Sequence, residues 1–366
     1  MPSEPNTPVL LAYLNGMPDV ESTYPVLARL HARGRVRVRA LVYSKVLRKE
    51  PRLAEAFAKN GFTPEPASKL RMKFFFQQDI IEADAILTIA DASWDTTSRR
   101  RRSNFIRSMK KRSYFIQHGA YQLGINGSRP NNIPMEFYSQ HLLFWEPIGK
   151  NHIGVSDRFS DRVSVVGFTK QNILPPRSWG AEVTDWVARH PRRLLVCQSF
   201  RWGNGRYSAD HIDHFYALMD AALTRHPDLG IVIRSHRGKV RRNHRAHDRA
   251  LRARHPNVLF SHYYSGPLAK ATIHDALDLC HAMVSPTSTT VLDCVYRGKP
   301  AAVFAENLDI FPDLPQIDGI EALEAFLSQI DNPGPEQAAL RDRFGAFDDN
   351  LDRAAAAIER TLLEAA

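Results

Sequence analysis

The sequence has few cysteines and no long apolar run. Its 366 residues include three cysteines, Cys197, Cys280 and Cys294, which lie among apolar neighbours and form no CxxC pair. A disulfide scaffold or a zinc site is therefore not expected, and a reducing cytoplasm is the expected compartment. No apolar stretch approaches the roughly 20 residues that span a bilayer. The N-terminus also lacks the charged start and apolar core of a secretory signal.

Several catalytic and binding signatures are also missing. The sequence contains no GxxxxGK[ST] phosphate loop, and no GxGxxG follows the first apolar strand. It has no HExxH metalloprotease motif and no GxSxG nucleophile elbow. Neither a zinc finger nor an RNP-type aromatic strand is present. We therefore expect no bound metal, no resident cofactor and no nucleic-acid partner.

Positive charge is in excess. The chain carries 49 Lys and Arg against 39 Asp and Glu, a formal net charge of +10. Part of this excess is concentrated in three runs, Arg99–Arg102, Lys110–Arg112 and Lys239–Arg245. Basic patches attract phosphorylated substrates and anionic lipid. Ordinary solvated helix faces are the alternative interpretation.

Short apolar runs alternate with longer amphipathic ones, a pattern that predicts βαβ units and parallel sheets. We predict an α/β fold with two Rossmann-like domains at residues 1–172 and 181–335. A linker at 173–180 contains a Pro-Pro pair, and a helical tail covers 336–366. The predicted strands are Val9–Leu14, Val36–Tyr43, Ala85–Ala90, Tyr114–Gln117 and Val163–Val166, then Arg193–Gln198, Gly230–Arg234, Asn257–Phe260, Ala282–Ser285 and Ala301–Phe304.

Ligands bind beyond the carboxyl ends of parallel strands, so residues that directly follow strands are the candidates in a cleft between the two domains. His118 and Gly119 follow an aromatic strand. A neutral histidine there could take a proton from an acceptor hydroxyl, and the glycine would allow a close approach. A hydrogen-bonded core histidine is the alternative. Asp91 is a second candidate base, or a turn residue at a strand end.

Two polar loops follow strands in the second half. Arg234, His236 and Arg237 could gather around a phosphate, since arginine offers paired donors, or could form an ordinary basic loop. The loop at 201–206 follows the strand Arg193–Gln198 and suits a phosphate-contacting loop or a plain surface loop. Its candidate contacts are Arg201, Asn204 and Arg206.

A hydroxyl-rich turn joins the strand Ala282–Ser285 to a short predicted helix. The N–H groups at a helix start, together with neighbouring hydroxyls, can bind a phosphate. Asp293 lies one turn into the helix, where it could hold a ribose hydroxyl or a turn amide. Ser288 also suits the helix cap, and the two roles are compatible. The candidate contacts of this turn are Ser285, Thr287, Ser288, Thr289 and Thr290.

The segment Asn257–Phe304 resembles the donor-binding half of GT-B glycosyltransferases. With the His-Gly and Arg-x-His stretches, the chain more narrowly resembles the CDP-glycerol glycerophosphotransferase-like group and the capsule-polysaccharide transferases that use CMP-Kdo or CMP-sialic acid. This resemblance implies that His118 is the catalytic base and that Asp293 lies close to the nucleotide. It further implies phosphate contacts at Arg234, His236, Ser288, Thr289 and Thr290.

These features together predict a metal-independent glycosyltransferase. It would move a sugar from a nucleotide-activated donor, with cytidine favoured, to a bacterial capsule or O-antigen polysaccharide. The expected acceptor is a glycan or lipid-linked glycan, reached from the cytoplasm at the inner face of an anionic membrane. The alternatives are a CDP-alditol phosphotransferase of teichoic-acid type, a nucleotide-sugar 2-epimerase and a non-catalytic module that binds anionic glycans.

Overall fold

A computed structural model shows two compact units. The first contains residues 1–175 and 342–366, and the second contains residues 176–341. The chain therefore passes between the units twice, and its last helix belongs to the first unit, whereas the sequence set residues 336–366 apart as a tail. The structure describes residues 7–90, 97–122, 125–126, 136–150, 152, 154–200, 208–235, 241–306 and 310–364, with the backbone alone at 97–99 and 241–243.

The first unit contains an all-parallel sheet in the order β3-β2-β1-β4-β5-β6-β7 among the described residues. The direction in which successive strands are added reverses between β1 and β4. The connections that follow these two strands therefore run in opposite directions from the carboxyl ends of the strands. The strands are β1 Val9–Leu14, β2 Arg37–Tyr43, β3 Glu65–Ala67, β4 Ala85–Thr88, β5 Arg112–Ile116, β6 His141–Phe144 and β7 Val163–Val165.

Helices cover both faces of this sheet. The helices of the first unit are α1 Met17–Arg33, α2 Ser44–Lys49, α3 Arg52–Lys59, α4 Lys69–Lys73, α5 Gln77–Ile81 and α6 Thr97–Ser108. A 3-10 helix, Asp157–Arg162, precedes β7. One face packs on α1, and the opposite face packs on α4, α5 and α6 through a separate apolar cluster that includes Met72, Phe76 and Ile106.

The second unit contains another all-parallel sheet in the order β10-β9-β8-β11-β12-β13. Its strands are β8 Arg192–Gln198, β9 Leu229–Ser235, β10 Val258–Phe260, β11 Ala282–Ser285, β12 Ala301–Phe304 and β13 Gln316–Ile317. The helices of the second half are α7 Ala181–Arg189, α8 Ala209–Arg225, α9 Arg241–Arg254, α10 Ile273–Leu279, α11 Thr289–Val295, α12 Ile320–Leu327, α13 Pro335–Phe344 and α14 Phe347–Leu363.

Helix α14 completes the core of the first unit. Its residues Leu351, Ala354, Ala355 and Ile358 belong to the same apolar cluster as β1 and α1. The fully buried Asn350 donates from Nδ2 to the carbonyls of Phe168 at 2.9 Å and Phe344 at 2.8 Å. Asn350 thereby supplies a hydrogen-bond donor to carbonyl groups at the junction between α14 and the segment after β7, as buried polar groups require.

The sequence predicts a helix over Ser22–Arg33 with Ser22 as its cap and Gly34 after its end, but this helix begins earlier in the structure. Helix α1 starts at Met17 with Gly16 as its cap, so Ser22 is buried inside the helix and does not cap it. A proline in the first turn of a helix costs no hydrogen bond, because an N–H at that position has no acceptor within the helix. Pro18 therefore favours this earlier start. The helix ends at Gly34, whose φ of 70° is the left-handed conformation that glycine adopts without strain.

Candidate functional site

The carboxyl end of β5 is held by the side chain of Gln117. This residue is 2% exposed. Its Nε2 donates to the carbonyl of Gly119 at 3.0 Å, and its Oε1 accepts the N–H of Trp145 at 2.9 Å. One side chain therefore fixes the turn after β5 to the end of the neighbouring strand β6. The backbone that carries His118 is held from both sides.

His118 lies in this turn and is half-buried. Its backbone N–H donates to Oε1 of Gln122 at 3.3 Å. Gln122 is itself linked to Asn126, whose Oδ1 accepts the Gln122 N–H at 3.4 Å. The structure thus places the predicted base at the carboxyl edge of the first sheet, on a braced backbone. A histidine there can accept a proton from a ligand at that edge.

A buried polar group next to the first strand was not predicted. Asp19 and Glu21 lie in the first turns of α1 and are 4% and 6% exposed. Asn15 donates from Nδ2 to Asp19 at 3.2 Å, and Lys170 Nζ lies 3.2 Å from the Glu21 carboxylate. Charged groups are rarely buried unless they are paired. The sequence feature that could have revealed these residues is the presence of two acids, Asp19 and Glu21, in the first turns of an otherwise apolar helix start.

Arg234 lies at the carboxyl end of β9, opposite Cys197 of β8. Its Nη1 donates to the Ser261 hydroxyl at 3.1 Å and to the carbonyl of Ala271 at 3.1 Å. Both of these acceptors are neutral, and together they orient the guanidinium. The half-buried Arg234 therefore brings an oriented positive charge to this edge of the second sheet, as an anion-binding residue requires.

The hydroxyl-rich turn follows β11, the other neighbour of β8. Ser288 caps α11 by accepting the N–H of Thr290 at 3.4 Å, and the Ser285 hydroxyl lies 3.1 Å from that of Thr290. Ser288, Thr289 and Thr290 are half-buried, whereas Ser285 and Thr287 are buried. The predicted helix and its cap are thus present, with hydroxyls gathered around its first turn.

Cys197 links these two groups. Burial raises the pKa of its thiol to about 12, while Arg234, Thr290 and Ser285 act in the opposite direction. Asp293, which is 4% exposed, also acts on this thiol. Since β8 pairs with both β9 and β11, residues from these strands and from the start of α11 lie close together around Cys197. All three cysteines are free and buried, and a thiol with a raised pKa is a poor nucleophile at neutral pH.

Two further residues of this edge were not predicted. Glu306, after β12, accepts the N–H of Thr287 at 2.6 Å. This carboxylate uses a donor that a phosphate could otherwise take, and its charge opposes an anion there. Gln198 is 3% exposed, and its Nε2 has no hydrogen-bond partner in the described part of the chain. An amide buried without an acceptor is unusual and costly.

The remaining predicted site residues lie outside the described residues. They are Asp91, Arg201, Asn204, Arg206, His236 and Arg237. The structure therefore brings together Arg234, Ser285, Thr290 and Asp293 in the second unit, and it places His118 and Gly119 in the first unit. The described residues contain no cluster of three or more His, Cys, Asp or Glu side chains arranged to hold a metal ion. Nor is any described helix both long and apolar enough to cross a membrane.

Comparisons with known proteins identify the fold. No family model and no curated protein sequence matches the chain. Solved structures do match, among them a provisional UDP-N-acetylglucosamine 2-epimerase of Listeria monocytogenes. That structure has a TM-score of 0.66 and 12% identity over 98% of this chain and 97% of its own.

Two other similar structures come from different organisms. The UDP-N-acetylglucosamine 2-epimerase of Neisseria meningitidis, bound to UDP-N-acetylglucosamine, has a TM-score of 0.55 and 14% identity over 97% of this chain and all of its own. A glycosyltransferase of Rickettsia africae has a TM-score of 0.53 and 10% identity over 99% and 100%. These likenesses, with the two parallel sheets, confirm the predicted fold class of two Rossmann-like α/β domains of the GT-B type.

Proposed function

We propose that this chain is a glycosyltransferase that binds a nucleotide-activated sugar at the carboxyl edge of the second sheet. The observation that supports it best is that Arg234 of β9 and the hydroxyls of Ser285 and Thr290 flank Cys197 of the intervening strand β8 at that edge. In open parallel α/β sheets, ligands bind at the carboxyl ends of the strands. A guanidinium and hydroxyls are donors suited to phosphate oxygens.

In this proposal each group has one role. Arg234 and the hydroxyls of α11 contact the donor phosphates, and Asp293 accepts a hydrogen bond from a ribose hydroxyl. The acceptor hydroxyl attacks the anomeric carbon, the bond from that carbon to the phosphate oxygen breaks, and His118 takes the hydroxyl proton. The nucleotide leaves with its negative charge stabilised by donors that are already in place, so the proposal requires no metal.

Calorimetric titration tests the binding half of this proposal. The protein is titrated with CMP, CDP, UDP and GDP and with sugars linked to each nucleotide. We expect one nucleotide to bind and its sugar conjugate to be consumed when a glycan acceptor is present. Preference for cytidine would support the narrower resemblance to capsule and CDP-glycerol-type transferases. A protein that binds none of the nucleotides would refute the proposal.

Product analysis tests the reaction class. A glycosyltransferase forms a product linkage without phosphorus, whereas an alditol phosphotransferase leaves phosphorus in the linkage, which ³¹P NMR detects. A binding module would give a different result. The wild-type protein would bind an anionic glycan without consuming a donor, and the His118→Ala variant would keep its biological activity.

A UDP-N-acetylhexosamine 2-epimerase is the second candidate. The buried acids Asp19 and Glu21 at the carboxyl end of β1 support it, because epimerisation requires a base that removes the proton from C2. The TM-score to the Listeria structure, higher than that to the glycosyltransferase of Rickettsia, points the same way. NMR of UDP-N-acetylglucosamine in D₂O would show deuterium at C2 with the wild type, and Glu21→Gln is the matched variant for that exchange.

A further inference from the structure

Exposed apolar side chains are concentrated on one part of the first unit. Eight large apolar side chains are exposed in the described part of the chain, and six of them lie on or beside α4, α5 and α6. These six, which we call the apolar patch, are Leu70, Phe74, Phe75, Ile81, Met109 and Tyr138, with exposures between 39% and 67%. Clustering of this kind marks an interaction surface, since scattered exposed residues need no such explanation.

The six side chains belong to one layer of the fold. Helices α4 and α5 both pack against α6, and the three helices cover the sheet face that carries Leu11 and Ile86. Phe76 turns inward and is 3% exposed, with its ring 5.9 Å from that of Phe105. Its neighbours Phe74 and Phe75 remain outside. A layer that is anchored on one face presents its exposed side chains on the other.

Basic side chains lie among these apolar ones. The guanidinium of Arg101 lies 5.9 Å from the ring centre of Phe74, and that of Arg107 lies 4.6 Å from the ring centre of Tyr138. Lys111 donates from Nζ to the carbonyl of Ile81 at 2.8 Å, which places the end of α5 beside the end of α6. The apolar patch and the basic run of α6 therefore form a single mixed surface.

Positive charge predominates on this surface. Between Thr97 and Arg112 the sequence contains eight Lys and Arg residues, of which Arg102 is buried, and no Asp or Glu. The exposed Glu82 beside Ile81 is paired with Arg39 at 2.9 Å. Lys69 and Lys73 of α4 add to it, while the buried acid Asp79 is paired with Arg71 at 2.7 Å. A surface that combines exposed Phe, Leu and Ile with an excess of Lys and Arg matches the interface of a bilayer that contains anionic lipid.

A cavity of about 240 Å³ opens at the edge of this surface. Its lining includes Ser103, Arg107, Lys110 and Ser139. Basic and hydroxyl groups suit the phosphate of a lipid head group. In a membrane, these phosphates lie at the same depth as the charged side chains of a helix docked in the interface. The acidic lipid head group and the apolar acyl boundary thus each have a matching region on the protein.

We propose that the apolar patch and the basic residues of α6 dock the first unit onto a membrane containing anionic phospholipid. Leu70, Phe74 and Phe75 enter the boundary between head groups and acyl chains. Arg100, Arg101 and Arg107 bind the lipid phosphates from the same side. The docking does not depend on the reaction proposed above, and it needs no membrane-spanning segment.

Vesicle sedimentation tests this proposal. The wild-type protein is mixed with vesicles of pure phosphatidylcholine, or of equal parts phosphatidylcholine and phosphatidylglycerol. We expect binding to the anionic vesicles that weakens as salt is raised. Reversing two charges in Arg100→Glu with Arg101→Glu should weaken partitioning roughly thirtyfold or more. Phe74→Ser with Phe75→Ser should weaken it by about tenfold or more.

Matched controls lie elsewhere on the molecule. Tyr264→Ser removes an aromatic side chain that is 64% exposed in the second unit, and Arg252→Glu reverses an exposed charge on the equally basic α9. Both should bind vesicles as the wild type does, and circular dichroism melts verify that every variant is folded.

Three outcomes would overturn the proposal. The first is equal binding of the wild type to both kinds of vesicle. The second is an unchanged affinity of the phenylalanine variant, which would assign the surface to a purely electrostatic partner such as nucleic acid. The third is an equal loss of vesicle binding in the control variants, which would show that binding depends on the general basic charge of the protein and not on this surface.

Discussion

The position of His118 depends on its neighbour Gln117. The Gln117 amide joins the turn after β5 to the backbone of β6 through bonds of 2.9 and 3.0 Å. A histidine on such a fixed backbone can meet a ligand without first being ordered, which lowers the entropic cost of reaction. The role of His118 as base stays a prediction.

His118→Ala should abolish sugar transfer and leave nucleotide affinity near that of the wild type, since the nucleotide is assigned to the second unit. The expected loss is about 10²–10⁴-fold in kcat, the usual contribution of general base catalysis. Single-turnover assays and calorimetric titration of the same preparation measure both quantities. A variant that unfolds would instead identify His118 as a structural residue of the turn.

Arg234→Gln should weaken nucleotide binding. A charge-assisted hydrogen bond contributes about 1.5–3 kcal/mol, so we expect an affinity loss of roughly 10- to 100-fold. Arg225→Gln is the control, because Arg225 lies on α8 in an exposed ion pair with Glu324 at 3.0 Å and such pairs contribute little. Equal affinities of the two variants would remove Arg234 from the site.

Glu306 provides a test of opposite sign. Its carboxylate holds the N–H of Thr287 at 2.6 Å. If the donor phosphates bind at this turn, Glu306→Gln should strengthen binding of the free nucleotide, because a negative charge beside the phosphate is removed. A weaker affinity would show that Glu306 instead contacts the ribose or base of the nucleotide.

The sequence predicted candidate residues at the ends of strands with clear apolar runs, and it missed those whose position depends on where a helix starts or on a contact between loops. Arg234 and Ser285 lie at the carboxyl ends of β9 and β11, whose apolar patterns are clear. Asp19 and Glu21 occupy a helix whose start was placed at Ser22, so their position at a strand end was not recognised. Glu306 follows β12 closely, but only the fold shows that it reaches Thr287.

At the scale of elements, strands with uninterrupted apolar runs were predicted to within a few residues. Strand β1 was predicted with both its ends, and β11 and β12 likewise. The strands β3, β6 and β13, of three, four and two residues, were missed. Since β11 and β12 have four residues each and were predicted, length alone does not explain these misses. Runs this short have no readable period, and pairing with a neighbouring strand decides which of them become strands.

The close contact between Gly167 and Asn350 of α14 allows this helix to pack against the segment after β7. Gly167 has a φ of 79°, and a Cβ atom there would lie 2.2 Å from Asn350 Oδ1 and 2.5 Å from the carbonyl of Phe344. Gly167→Ala should therefore lower the free energy of unfolding by about 2 kcal/mol or more beyond the cost of the left-handed backbone. Urea denaturation measures it.

Gly34→Ala separates the two causes. Gly34 has a similar φ of 70°, and no atom lies within 4 Å of the position that an alanine Cβ would take there. This variant therefore reports the backbone cost of about 1 kcal/mol alone. Equal losses in the two variants would show that α14 moves away from Gly167 without cost.

For the whole molecule, buried histidines predict sensitivity to acid. Burial lowers the pKa of His141, His152, His190, His244 and His281 below the ordinary value of 6.5. Below about pH 6.5 the unfolded chain binds more protons than the folded chain does. The free energy of unfolding is therefore highest above about pH 6.5 and falls as the pH drops below it. His152, which is 4% exposed, should contribute to this loss, because burial holds its pKa below that of the unfolded chain.

Thermal melts between pH 7.5 and 5.5 measure this dependence. We expect the melting temperature to fall with pH and the slope to flatten in His152→Leu. A melting temperature that rises or stays level on acidification would show that the histidines gain protons in the folded state.

The return of α14 to the first unit has a consequence for synthesis of the chain. Ribosomes release the N-terminal end first, and domains usually fold in that order. Here residues 176–341 form one complete unit, whereas the first core includes Leu351, Ala355 and Ile358, which are made afterwards. The unit that begins first is therefore the one that finishes last. While the second unit folds, part of the α1 side of the first core stays uncovered until residues 342–366 have been made.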